Sequence, residues 1–219
     1  MFGWGQKKEL PKVQLSLKGI KEKSKVLFID DEEVDLIPLL QAEGWHVEQW
    51  KDVNSLTELE SGKYDLIFLD IGGVGRKFSP EEEGFRILKR IKSINPSVLI
   101  VSYSGQRFDS TKSEFWALAD GNLSKSSGAI KAIELLEDLL KQKFTSTYLW
   151  NEALEILKGH GMSETDIEKV KQNIIKKEEP KKIEEKIKSL FGTESSFQIV
   201  LGTISKIVMI LKYMNGSGS

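Results

Sequence analysis

Short apolar runs alternate with longer amphipathic stretches between residues 25 and 143, and this alternation constrains the fold more than any other feature. Several runs are almost continuous in Val, Ile, Leu and Phe, as strands buried on both faces of a parallel sheet require. The predicted strands are Val26–Ile29, His46–Trp50, Leu66–Leu69, Val98–Val101 and Gly121–Ser124. The predicted helices are Val34–Glu43, Ser55–Ser61, Glu81–Ile94, Thr111–Ala119 and Ala129–Lys143. The order predicts an α/β domain, a doubly wound five-stranded parallel sheet covered by helices.

The rest of the chain is expected to form an arm, a helical module and a tail. Residues 1–23 lack sustained periodicity, so we expect an N-terminal arm before an α/β domain of residues 24–143. The strand signal then disappears, and residues 144–214 predict an all-helical module for output or oligomerisation. Its helices are expected at Ser146–Lys158, Ser163–Lys177, Pro180–Phe191 and Ser196–Met214. The Gly/Ser-rich residues 215–219 are expected to form a flexible tail.

The composition excludes several functions and leaves partner choice to local features. The 32 Lys and Arg residues balance 33 Asp and Glu residues, so no global charge favours nucleic acid or membrane. The chain has no cysteine, which excludes disulfides and thiol chemistry and fits a reducing compartment. Lysines interrupt every apolar stretch of the first 25 residues, so we predict no signal peptide and expect a cytoplasmic protein.

Charged and hydroxyl side chains follow the predicted strands. Asp30 and Asp31 follow the first strand, Asp70 the third, Ser102 the fourth, and Lys125 lies at the end of the fifth. These side chains should meet, because the carboxyl ends of parallel strands share one edge of a sheet. Three carboxylates repel one another unless a cation neutralises them, and oxygen ligands favour Mg²⁺. The set suits phosphoryl transfer to Asp70, with Asp30 and Asp31 holding Mg²⁺ and Lys125 and Ser102 binding phosphoryl oxygens.

A second hydroxyl competes for the last of these roles. Ser104 lies two residues beyond Ser102, and Ser102 is preferred because it follows the apolar strand directly. The two histidines, His46 and His160, are assigned no role, since isolated histidines are more often structural or solvent-facing than catalytic.

Four short motifs, at the ends of the first, third, fourth and fifth strands, resemble those of the response-regulator receiver domain of two-component signalling. They are Phe28-Ile29-Asp30-Asp31, Leu66-Ile67-Phe68-Leu69-Asp70, Val98-Leu99-Ile100-Val101-Ser102 and Leu123-Ser124-Lys125. The resemblance implies a flavodoxin-like fold, an aspartyl phosphate at Asp70, and a Gly72 carbonyl that joins the Mg²⁺ ligands. It also implies a histidine kinase or phosphotransfer protein as partner. The chain would be a phosphoacceptor and not an enzyme, apart from self-dephosphorylation.

The chain also departs from the receiver pattern. The segment Ile71–Glu83 is longer than the usual loop and carries the basic pair Arg76 and Lys77. Asn122 stands where receivers often have an aromatic residue, and Ser126 replaces the usual proline. Tyr103 is a substitute candidate for the missing aromatic residue. A pseudo-receiver scaffold that works without phosphorylation is therefore an alternative.

The helical module leaves two kinds of output open. From residue 144 to 219 there are eleven Lys, no Arg and ten Asp or Glu, which is no basic footprint for DNA. Protein–protein contact is therefore preferred to a DNA-binding transcription regulator. The last predicted helix is so apolar that either its own module or a second copy in a homodimer must cover it. A membrane role is not favoured, because Lys206 and Lys212 interrupt the helix.

Overall fold

The structure is a computed structural model that describes residues 9–105, 113–176, 183, 185, 187, 188 and 194–216. The chain forms two compact units. An α/β unit contains residues 16–142, and a helical unit combines the N-terminal residues up to 15 with residues 143–219.

The α/β unit is built on one five-stranded parallel sheet. Its strands are β1 Val26–Ile29, β2 Val47–Trp50, β3 Leu66–Leu69, β4 Leu99–Ser104 and β5 Gly121–Ser124. Their spatial order is β2-β1-β3-β4-β5, and every neighbouring pair is parallel. The helices are α1 Leu17–Lys23, α2 Leu36–Ala42, α3 Leu56–Glu60, α4 Gly84–Ile94, α5 Ser113–Leu118 and α6 Ala129–Lys143. The predicted doubly wound α/β fold is confirmed.

Apolar side chains cover both faces of the central strands. On one face the rings of Phe28 and Phe68 stack with centroids 4.3 Å apart. On the other face the strands pack against α3, α4 and α5 through a fully buried apolar cluster. Its sheet members include Leu27, Ile29, Ile67, Leu69 and Ile100. Burying such a side chain contributes about 1.5–3 kcal/mol to stability. This core therefore holds the strands, and the residues that follow them, in place.

The N-terminal boundary of the α/β unit differs from the expected one. Residues 17–23, expected to belong to an arm, form α1, because Ser16 caps the helix by accepting from the Gly19 N–H and Ile20 is fully buried. Just before it, the chain pairs with the start of the helical unit, where the Leu15 N–H donates to the Phe144 carbonyl over 3.0 Å. Long-range pairing of this kind leaves no signal in local periodicity.

The helical unit contains α7 Ser146–Gly159, α8 Glu164–Ile175 and α9 Glu194–Gly216. The expected helix Pro180–Phe191 lies largely outside the described residues. Helix α9 is buried within the single chain on several sides, so a second copy is not needed to cover its apolar surface. Its buried apolar residues are Phe197, Ile199, Val200, Ile204, Ile207, Val208, Ile210 and Leu211. Among the described helices, none is long and apolar enough to cross a membrane.

Candidate phosphoacceptor site

Two buried aspartates and one lysine meet at the carboxyl edge of the sheet. Asp30 and Asp70 directly follow the paired ends of β1 and β3, and the Asp70 N–H donates to the Ile29 carbonyl over 3.0 Å. Lys125 directly follows β5, and its N–H donates to the Ser104 carbonyl over 2.9 Å. The Lys125 Nζ then lies 2.8 Å from Oδ2 of Asp30 and 2.8 Å from Oδ2 of Asp70. The topology therefore brings these three sequence-identified residues together.

Asp31 completes a group of three carboxylates that fits a divalent cation. Oxygens of Asp30, Asp31 and Asp70 all lie within 4.8 Å of one another. Among the described residues, the buried Asp30 Oδ2 has no partner of hydrogen-bond geometry, although the Lys125 Nζ lies 2.8 Å away. An all-oxygen set with a buried oxygen in need of a partner matches the preference of Mg²⁺ for carboxylates and water. The Gly72 N–H donates to Asp70 Oδ1 over 3.2 Å, whereas the metal-binding role of its carbonyl stays a prediction.

The protonation behaviour of the site reflects burial and charge. Burial raises the pKa of Asp70, hydrogen bonds from Lys125 and the Gly72 N–H oppose that rise, and the Asp30 charge adds to it. Burial alone would lower the pKa of Lys125, but its bonds with Asp30 and Asp70 outweigh burial and raise it. Lys125 is therefore a fixed cation, and a further cation at the carboxylates would favour ionised Asp70.

The site opens into a cleft of about 260 Å³. Its polar lining includes Asp31, Glu32, Asp70, Arg76, Ser104 and Lys125. Two of these residues escaped the sequence analysis. Glu32 lies 3.2 Å from the Lys125 Nζ, and its place directly after two aspartates was a usable signal. For Arg76, the only signal in the sequence was its position beside Lys77 in the enlarged segment that follows Asp70.

The structure does not place Ser102 in the cleft. Strand β4 runs on to Ser104, so Ser102 lies inside the strand, in register with Leu69 and Asn122. Its side chain is fully buried and its hydroxyl donates to the Asn122 Oδ1 over 2.5 Å. Ser104, two residues on, lines the cleft instead. Sequence periodicity placed the end of β4 too early, so Ser102 lies inside the strand and Ser104 near its end. The phosphoryl-binding role of Ser102 stays a prediction.

Tyr103 occupies the sheet face opposite to that of Ser102, because successive side chains of a strand alternate. Its ring makes edge contacts with Phe28 and Phe68, at centroid distances of 5.5 and 6.1 Å. The Lys125 Nζ lies 5.8 Å from the centre of the same ring. Burial raises the pKa of Tyr103, and the Asp30 charge adds to that rise, so the phenol is neutral. Tyr103 thus packs beside the site lysine.

The long segment between Asp70 and α4 is held in place at both ends. Gly84 is required at its exit, because a Cβ there would lie 2.1 Å from the Asp70 carbonyl oxygen. Gly73 has a φ of +84°, and a Cβ there would lie 2.6 Å from Oδ2 of Asp31. In between, Val74 is fully buried and the Gly75 N–H donates to Asp52 Oδ1 over 2.6 Å. The insertion is therefore a folded wall of the cleft.

The fold and the edge carboxylates together define a class. Five parallel strands in the order β2-β1-β3-β4-β5 form the flavodoxin-like type of doubly wound sheet, and the α/β unit has that fold. No protein-family model and no curated protein matches the chain.

Solved receiver structures resemble the α/β part of the chain. A CheY-like receiver domain protein from Methanospirillum hungatei is 21% identical, with a TM-score of 0.47 over 55% of this chain and 95% of that chain. A two-component response regulator from Clostridium difficile is 21% identical, with a TM-score of 0.46 over 55% and 98%. The receiver domain of NtrX from Brucella abortus is 27% identical, with a TM-score of 0.44 over 52% and 97%. These likenesses concern the fold.

Proposed function

We propose that the α/β unit is a receiver that accepts a phosphoryl group on Asp70 from a phosphohistidine of a histidine kinase or phosphotransfer protein. Mg²⁺ would be held by Asp30, Asp31 and Asp70. The single observation that carries the proposal is Lys125 Nζ, which lies 2.8 Å from both Asp30 and Asp70 at the carboxyl edge of the sheet. Helix capping or surface solvation would explain neither the burial of the two aspartates nor their shared cation.

In phosphoryl transfer the protein mainly positions the reacting groups and offsets their charge. A carboxylate oxygen of Asp70 attacks phosphorus, the phosphorus–nitrogen bond of the donor breaks, and the imidazole leaves with the electron pair and takes a proton. Mg²⁺ would supply charge neutralisation between carboxylates and phosphoryl oxygens. Lys125 would pair with a phosphoryl oxygen and orient it, and either Ser102, as expected from the sequence, or Ser104, which lines the cleft, would donate to another.

Acetyl phosphate with Mg²⁺ tests the proposal without a known kinase. Intact-mass measurement should show one phosphoryl group on the wild type and none on Asp70→Asn. Asp138→Asn makes the same chemical change at an exposed position of α6 and should behave as the wild type. A known receiver in the same experiment must be modified. Failure of the wild type beside a modified control would exclude the phosphoacceptor.

We further propose that phosphorylation alters a protein–protein contact of the helical unit in the cytoplasm. The charge added at the sheet edge would bias the α/β unit between two arrangements. The near balance of Lys against Asp and Glu in residues 144–219 supports protein contact over DNA. Affinity capture from the native cell, with wild type beside Asp70→Asn, would identify a partner that depends on phosphorylation.

A phosphorylation-independent scaffold is the second candidate, and one observation favours it. The buried hydrogen bond between Ser102 and Asn122 links β4 to β5 at positions where receivers usually have a switch hydroxyl and an aromatic residue. Such a link would resist movement of the two strands. Hydrogen exchange along β4 and β5, with and without beryllofluoride, separates the candidates, because a scaffold would show no change.

A further inference from the structure

Arg76 brings a second cation to the cleft of Asp70 and Lys125. Its Nε donates to Glu83 Oε1 over 2.8 Å, and the other oxygen of Glu83 accepts from the Gly73 N–H over 2.9 Å. Glu83 therefore ties the guanidinium to the turn that begins two residues after Asp70. This bond uses Nε, and the two terminal amino groups have no partner among the described residues.

The backbone that presents Arg76 is fixed and locally strained. Glu83 has a φ of +49°, which a residue with a side chain rarely adopts and which persists only where the surroundings impose it. The surroundings here are the close approach of Gly84 to the Asp70 carbonyl. Lys77 adds an anchor by donating to the Val53 carbonyl. The backbone on either side of Arg76 is therefore anchored, at Gly75 to Asp52 and at Lys77 to Val53.

The charges of the cleft call for a second cation once a phosphoryl group is present. Asp30, Asp31, Asp70 and Glu32 supply four carboxylates beside Lys125, and Arg76 adds a cation whose Nε is already paired with Glu83. A phosphoryl group adds more negative charge and three acceptor oxygens. A guanidinium presents parallel N–H groups that match such oxygens, whereas an ammonium is a single point charge. The Arg76 side chain is 67% exposed, so its terminal groups can turn without breaking core contacts.

We infer that Arg76 is a second phosphoryl-binding residue, which contacts the group on Asp70 through its terminal amino groups while Glu83 holds its Nε. This inference rests on the proposed phosphorylation of Asp70. It assigns the enlarged loop a purpose: the loop couples the phosphoryl group to the wall formed by residues 71–83, in addition to the contact from Lys125.

Calorimetric titration with beryllofluoride, at saturating Mg²⁺, tests the inference through binding alone. Arg76→Gln should raise the half-saturating concentration about tenfold, as expected for a lost charge-assisted contact. Arg86→Gln is the matched control, because Arg86 also pairs with a glutamate, Glu82 at 3.7 Å, but on the exposed surface of α4. Arg86→Gln should change the half-saturating concentration of beryllofluoride less than twofold.

Glu83→Gln distinguishes a binding role from a structural one. Glutamine keeps an oxygen for the Gly73 N–H, so a contact made by Arg76 itself should survive, with a change of less than threefold. An effect of Glu83→Gln as large as that of Arg76→Gln would show that the pair only shapes the loop. Equal affinities for Arg76→Gln and Arg86→Gln would overturn the inference while the phosphoacceptor proposal stands. If the wild type binds no more tightly than Asp70→Asn, both fall.

Discussion

The two units of the chain differ in that, among the described residues, buried carboxylates occur in the α/β unit alone. The α/β unit buries Asp30 and Asp70 at the end of its sheet and offsets them with one lysine. The helical unit buries an apolar helix from Phe197 to Leu211. Burying a charge costs free energy unless the charge is paired, whereas apolar burial is the ordinary source of stability. The α/β unit therefore keeps paired carboxylates at the edge of its sheet, and the helical unit contains a long helix buried by apolar packing.

The largest expected effect comes from placing a charge in the helical unit. Ile204 is fully buried in α9, so Ile204→Glu would leave an unpaired carboxylate in an apolar interior, at a cost of about 4 kcal/mol or more. We expect circular dichroism to show loss of the helices of this unit, while calorimetry still detects Mg²⁺ binding by the α/β unit. Lys212→Glu, at an exposed position of the same helix, is the control. A fully folded Ile204→Glu protein would contradict the contrast between the units.

Removal of the Asp70 charge from the α/β unit should raise stability, whereas Ile204→Glu should lower it. Burial raises the pKa of Asp70, so the folded state keeps that proton to higher pH than the unfolded state does. Without Mg²⁺, wild-type stability therefore falls as pH rises from the ordinary carboxyl range through the raised pKa of Asp70. Asp70→Asn has no carboxyl group at this position, so its stability does not fall in this way as pH rises. It should show the higher urea midpoint at pH 7, with the difference shrinking in acid.

Mg²⁺ should stabilise the wild type more than it stabilises Asp70→Asn. Because it neutralises the carboxylates, the ion should raise the wild-type urea midpoint and close the gap to Asp70→Asn at pH 7. A wild type more stable than Asp70→Asn at pH 7 without Mg²⁺ would show that Lys125 more than compensates for the burial of Asp70.

Gly73→Ala should weaken Mg²⁺ binding several-fold. The new Cβ would lie 2.6 Å from the Asp31 carboxylate and would turn that ligand away from Asp30 and Asp70. Gly44→Ala is the matched control, because its φ of +88° imposes similar backbone strain where no atom lies within 4 Å of the new Cβ. Both substitutions should lower stability by about 1 kcal/mol, and only the first should alter the titration with Mg²⁺.

The smallest effects should separate the two serines of β4. Ser102→Ala leaves the Asn122 oxygen without its donor and should cost about 1 kcal/mol, measured by urea unfolding, with unchanged beryllofluoride affinity. Ser104→Ala should weaken beryllofluoride binding a few-fold, because Ser104 lines the cleft. The reverse pattern would restore Ser102 as the hydroxyl of the site.

The sequence predicted the sheet because its signal is local. The bounds of β1, β3, β5 and α6 match those expected from apolar periodicity alone. The convergence of Asp30, Asp70 and Lys125 also followed, since parallel topology decides which strand ends meet.

The errors arose where distant pairing decides the structure. Strand β4 is extended by its pairing with β5 to Ser104, three residues beyond the expected end at Val101. Leu15 pairs with Phe144, 129 positions later in the chain. Arg76 owes its place in the cleft to the fold of an unusual loop, and the periodicity of the sequence contains no trace of that.

Gly84 has a consequence for how this chain can change over evolution. The segment that leaves Asp70 returns to the Asp70 carbonyl at Gly84, so its two ends are fixed to the same point of the sheet. Residues 78–82 lie between the anchors at Lys77 and Glu83, so extra residues there would lengthen the segment at a small cost, since doubling a flexible loop costs only about 0.6 kcal/mol. In this stretch a new surface could be added beside the cleft without moving Gly73 or Arg76.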